Sequence, residues 1–129
     1  MLNGKNVTLE RVKTRDNEYI IKDNSGITAG RVFIIELNKE TRFCMLRIKL
    51  YREDAHEILK DALSILLRVL FKTMDILKVN VLIDEYVNSS AFVELGFSME
   101  GVLEDNLYAG GSQRGELIFG LSLRDYEKN

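Results

Sequence analysis

The stretch Tyr51–Leu67, YREDAHEILKDALSILL, gathers Glu53, Asp54, His56 and Glu57 where a strand gives way to a helix. A helix N-terminus presents amide groups without intrahelical acceptors, so it either receives an anion or is capped from within. No glycine stands in this turn. Asp54 and Glu57, three positions apart, form a variant capping box with Asp in place of Ser or Thr. Each carboxylate also favours the positive end of the helix dipole by about 0.3–1 kcal/mol. The turn is therefore expected to be satisfied by its own side chains. His56 is the one histidine, read as exposed or as a phosphate contact. A Ser-His-Asp nucleophile set would need it, and no strained nucleophile elbow is visible. The single cysteine, Cys44 in RFCMLRI, forms no intrachain disulfide and reads as a buried inert thiol. One His and one Cys also exclude a zinc site built mainly from those ligands.

The elements that position these groups follow from periodicity. Val7–Val12 alternates as a half-buried strand, and EYIIKDNSGITAGRVFIIEL gives two strands broken at Asp23–Gly26. Arg42–Leu50 follows as a strand with Cys44, Leu46, Ile48 and Leu50 on one face and Arg47 and Lys49 on the other. Asp54–Leu77 is the longest helical pattern, with Ile58, Ala62, Ile65, Leu66, Val69 and Leu70 as its apolar stripe. Val79–Ile83 is apolar throughout, as in a strand buried on both faces. Strand, helix and strand make a parallel βαβ crossover, expected to be right-handed. A short helix over Ser89–Leu95 stops at Gly96, and Phe97–Tyr108 and Glu116–Leu123 flank the hairpin signal Ala109–Ser112. The order is β-β-β-β-α-β-α-β-β in one domain spanning 1–129: an α+β fold with a mixed, mostly antiparallel sheet.

A net charge of −2, with 18 basic and 20 acidic residues, leaves no basic field for a nucleic-acid partner. No apolar run approaches membrane-spanning length and no leading secretion signal is visible, so a cytoplasmic protein without membrane contact is expected.

ELGF leading into MEGVLEDNLYAGG, and then ELIFGL, resembles the GNAT superfamily of acyl-CoA-dependent N-acetyltransferases, nearest its ribosomal-protein-acetylating (RimJ/RimL-type) branch. Leu95–Leu103, Tyr108, Gly111, Leu117, Gly120 and Leu121 carry the likeness, with Asp61-Ala62-Leu63, Leu66-Leu67, Phe71 and Lys78-Val79 in the central helix and after it. It covers roughly residues 26–125. The resemblance implies acetyl-CoA as cofactor and a small-molecule or peptide amine as acceptor. Pantetheine would lie between the fourth and fifth strands against Ile48, Lys49 and Leu50. The pyrophosphate would sit on the next helix's first turn, where relatives carry (Gln/Arg)-x-x-Gly-x-(Gly/Ala).

Three departures stand against that pattern. The phosphate motif falls on Asp54, Ala55, His56, Glu57, Ile58 and Leu59, without its glycines, and sliding it to begin at Arg52 does not restore it. An ionised Glu57 about 5 Å from a phosphate charge would cost about 3 kcal/mol at an effective dielectric of ~20. Binding then requires Glu57 to turn outward and Arg52, His56 or Lys60 to supply positive charge. Second, Phe92 occupies the position of the family's acidic Tyr; Ser89, Ser90 or Tyr86 could substitute, or Ser89 and Ser90 simply start a helix capped by Asn88. Third, only Lys13–Glu18 links the first two strands, so the two helices that wall the acceptor pocket are missing. Glu36, Asp84 and Glu85, near the relevant strand ends, are the general-base candidates, although a carboxylate at a strand end is more often a solvated charge. The readings are an acetyltransferase, or a non-catalytic module of the same fold that binds a partner or ligand. A sheet edge without an acceptor wall gives two copies reason to pair as a homodimer.

Overall fold

The computed structural model describes residues 2–52, 55–109 and 112–128. Its sheet runs β1 (Leu2–Asn3), β2 (Val7–Arg11), β3 (Glu18–Asp23), β4 (Thr28–Asn38), β5 (Phe43–Leu50), β6 (Lys78–Asp84), β8 (Ser112–Ser122) and β7 (Ser98–Ala109) in that spatial order. All neighbours are antiparallel except β5 and β6, which are joined in parallel through α1 (His56–Leu67). α2 (Ser90–Glu94) follows β6, and α3 (Leu123–Glu127) closes the described chain. The mixed sheet, single crossover and C-terminal hairpin match the expected α+β class. β1 and α3 are additions that two- and five-residue patterns were too short to signal.

Two expected boundaries move. α1 ends at Leu67 and continues as a π-helical turn over Arg68–Thr73 rather than reaching Leu77. There Met74 N–H donates to Val69 O, five residues back, and Asp75 at φ 57° turns the chain toward β6. The apolar stripe is also rotated: Leu59, Leu63 and Leu67 join Ala62, Ile65 and Leu66 in full burial, while Ile58 is only partly covered. At the other end β8 begins at Ser112, four residues before the expected Glu116. The glycines at 110 and 111 lie outside the described residues.

Helices α1 and α2 pack on one sheet face, against Val7, Leu9, Ile21, Val32, Leu46, Ile48, Val81 and Ile83. Phe92, fully buried, stacks on Phe119 with centroids 4.4 Å apart and meets Phe97 edge-on. Gly96 at φ 93° ends α2, and Phe97 N–H returns to Phe92 O at 2.9 Å, as a helix-terminating glycine allows. The link from Arg11 to Glu18 is a tight turn in which Val12 N–H bonds to Glu18 O, and it holds no helix. The opposite sheet face is consequently lined by paired charges instead of a second apolar layer: Arg31 with Glu18, Arg47 with Glu116, and Lys78 with Glu100.

Candidate active site

The site begins where β5 and β6 part. Their ladder runs from Phe43↔Lys78 to Arg47↔Leu82 and stops, although β5 continues through Ile48–Leu50 and β6 through Asp84. Over that run β5 keeps β4 on one side, through Val32↔Ile48, Arg31↔Lys49 and Gly30↔Leu50, while β6 keeps β8 on its far side. The facing edges of β5 and β6 diverge. A strand edge without a partner presents backbone N–H and C=O groups to whatever enters the gap. Gly30 permits the close approach of β4 here: a Cβ at that position would lie 2.4 Å from Lys49 O.

A cleft of about 630 Å³ opens at this divergence. Ile48, Lys49 and Leu50 line it from β5, and Asp84 and Val87 from β6 and the loop beyond. Phe33 and Ile35 of β4 line it as well, with Arg47, Arg114 and Glu116 completing its charged wall. Arg47 Nε and Nη2 donate to Glu116 Oε2 and Oε1, both at 2.8 Å, and Glu116 is only 1% exposed. That carboxylate raises the Arg47 pKa further above its usual value. Arg114 Nη1 donates to Asp84 Oδ2 at 3.1 Å while its guanidinium lies over the Tyr86 ring at 4.6 Å.

Of the four acid–base candidates, Asp84 alone lines the cleft. Glu36 is exposed opposite Met45, beyond the irregularity between Ile34 and Glu36, at the other end of the β4–β5 ladder. Glu85 is exposed on the turn after β6, its N–H bonded to Gly115 O. Ser90 faces a different partner: its Oγ lies 3.1 Å from His56 Nδ1, and His56 Nε2 lies 3.0 Å from Glu94 Oε2. Lys60 Nζ reaches the other oxygen of Glu94 at 3.0 Å and holds that carboxyl below its usual range. Hydroxyl, imidazole and carboxylate thus form a chain that the sequence reading did not find. It ties the start of α1 to α2 and does not line the cleft.

The first turn of α1 also differs from expectation. Ala55, not Asp54, is the N-cap, without a side-chain capping bond, and Leu59 N–H makes the first helical bond back to Ala55 O. The expected capping box is therefore out of register with the helix by one residue; Glu53 and Asp54 lie outside the described residues. The amides of His56, Glu57 and Ile58 precede the first helical donor. Glu57 does turn outward, its side chain 75% exposed. The cations proposed to help are engaged elsewhere: Lys60 by Glu94, and Arg52 by Asp23 at 2.6 Å. Ser89, not Asn88, is the N-cap of α2, without a side-chain capping bond; Asn88 stands one residue earlier, its Oδ1 accepting from Ser90 N–H at 3.0 Å.

Arg47, Arg114 and Glu116 were missed. Their sequence signal was a charged residue at alternating positions of otherwise apolar strands, but which charges meet depends on a register that composition does not carry.

No protein-family model and no curated protein matches the chain. Among solved structures, the N-terminal domain of a ribosomal-protein-alanine acetyltransferase from Clostridium acetobutylicum ATCC 824 is 41% identical, covers 98% of both chains and superposes with a TM-score of 0.95. The chain belongs to the GNAT acetyltransferases, in their RimJ/RimL-type branch. The spermidine/spermine N-acetyltransferase SpeG from Vibrio cholerae, in complex with manganese ions, shares the GNAT fold at 19% identity and a TM-score of 0.66. There the match covers 86% of this chain and 67% of that one. The dodecameric spermidine N-acetyltransferase from the same organism gives 18% identity over 84% and 66%, again at 0.66. In this GNAT member β5 and β6 part after Arg47↔Leu82, and residues 52–59 hold no glycine.

Proposed function

We propose that this GNAT member is an N-acetyltransferase that uses acetyl-CoA and acts on a small-molecule or peptide amine. The observation that carries this reading is the divergence of β5 and β6 after Arg47↔Leu82, with a cleft at the gap. The backbone of Ile48–Leu50 suits an extended pantetheine arm, and the amides of His56, Glu57 and Ile58 suit a pyrophosphate once Glu57 faces outward. Bound there, acetyl-CoA supplies a thioester that the amine attacks directly: the new carbon–nitrogen bond forms as the carbon–sulfur bond breaks and CoA leaves as the thiol. Asp84 is the general base in this reading, taking the amine proton directly or through one water, with Arg114 holding its carboxylate in place. Buried Phe92 has no proton to give, and Ser90 serves as acid only after releasing His56.

Calorimetry with acetyl-CoA and CoA, paired with a thiol-release assay over a panel of amines, tests the reading. Saturable heat and amine-dependent thiol release are expected; no heat at millimolar ligand would overturn it. That outcome would favour a non-catalytic module, a reading supported by the engagement of His56, Lys60 and Arg52 with protein carboxylates. In either case the outermost strand β7, with Met99, Val102 and Leu103 exposed, offers an edge for pairing two copies, which sedimentation would read.

A further inference from the structure

We infer that the cleft accepts an amine bearing a carboxylate close to its nitrogen, an amino acid or an acidic peptide N-terminus, and that Lys49 is the residue selecting it. This rests on the acetyltransferase reading and adds the chemical class of its acceptor. The charges of the cleft are already sorted. Both carboxylates that line it face an arginine, Asp84 with Arg114 and Glu116 with Arg47. A polyamine entering would therefore find no carboxylate without a cation beside it, and would meet Arg47, Arg114 and Lys49.

Two donors point the other way. Lys49 is exposed on the cleft wall, and it has no ion pair or hydrogen-bonded side chain among the described residues. Arg114 Nε is shut away from solvent without a hydrogen-bond acceptor. A cation without a counter-charge beside an apolar wall of Phe33 and Ile35 attracts an anionic group more strongly than one in open water, and charge-assisted bonds to carboxylates are the stronger kind. Lys49 stands two residues beyond the last β5–β6 pair, on the sheet face that also carries Arg47. A zwitterionic end therefore places its nitrogen toward Asp84 and its carboxylate toward Lys49.

The test is a titration monitored by amide NMR shifts, using alanylglutamate, alanyllysine and spermidine as probes on the full chain. It reads binding and needs no turnover, so its outcome is separate from that of the calorimetric test. Alanylglutamate is expected to bind about fivefold more tightly than alanyllysine, with shifts at Lys49 and Asp84 and a preference that fades as salt rises. Lys49→Glu should reverse the order, and Lys49→Arg should retain it. Equal affinities, tighter binding of spermidine, no binding of any probe, or a preference that survives Lys49→Glu would each overturn the inference.

Discussion

Arg47 and Glu116 belong to strands that are not neighbours, yet they join through two 2.8 Å hydrogen bonds across β6. Arg47 is also the last β5 residue paired with β6, so the bridge spans the sheet where β5 and β6 begin to part. Leu82, opposite Arg47, is 3% exposed on a face without a helix. The side chains of the pair supply cover there that a second layer would otherwise give. Removing the arginine takes two charge-assisted hydrogen bonds from a buried carboxylate. Arg47→Met should cost about 2–3 kcal/mol in urea unfolding, below the full penalty for a buried pair because Arg47 is 36% exposed. The double variant Arg47→Met with Glu116→Leu should recover most of that loss, and a double variant no better than the single one would contradict this account.

Phe92, which the family resemblance sets at the position of an acidic Tyr, serves as core. Its ring is fully buried between Phe119 and Phe97. Phe92→Tyr adds a hydroxyl to that stack, at about 1–3 kcal/mol if it finds no partner. Thermal unfolding should show the loss, and thiol-release rates should not rise. A faster variant of undiminished stability would place the ring edge at the reacting centre instead.

Glu94 engages the side chains of His56, the first residue of α1, and of Lys60, one turn further on. Glu94→Gln should leave both free for a polyanion and tighten CoA binding about fivefold at low salt, with the gain shrinking at high salt. Calorimetry on both proteins reads this. Because Lys60 lowers the Glu94 pKa in the folded state, this contact favours folding above the ordinary carboxylate range and is lost as pH falls through the lowered value. The variant should therefore show a weaker acid dependence of stability than the unmodified chain.

Cys44 is fully buried beneath the helices, and burial, with a smaller effect from the Glu36 charge, pushes its pKa up from 9.0 to about 11. A group raised in this way contributes stability that is complete below its unfolded pKa and declines as pH climbs from about 9 toward 11. Iodoacetamide at pH 8 should label the urea-unfolded chain and leave the folded one untouched. Rapid labelling under native conditions would mean that β5 opens locally.

The local patterns of this chain determined its order of strands and helices, the parallel crossover, the hairpin and the absence of helices between the first two long strands. Alternation, helical period and turn residues are properties of neighbours in sequence, so they are legible there. Asp84 at a strand end, Asn88 before α2 and the apolar burial of Cys44 followed from the same local rules. The tertiary structure alone decided which charges meet. Arg47 finds Glu116 sixty-nine residues away across an intervening strand, and Ser90 and Glu94 find His56 across two helix ends. Side-chain pairing at such separations depends on register and on the angle between packed elements, both set by the whole core. For that reason the helix start lay one residue from its expected place, and the cations meant for a phosphate were found holding carboxylates of the protein itself.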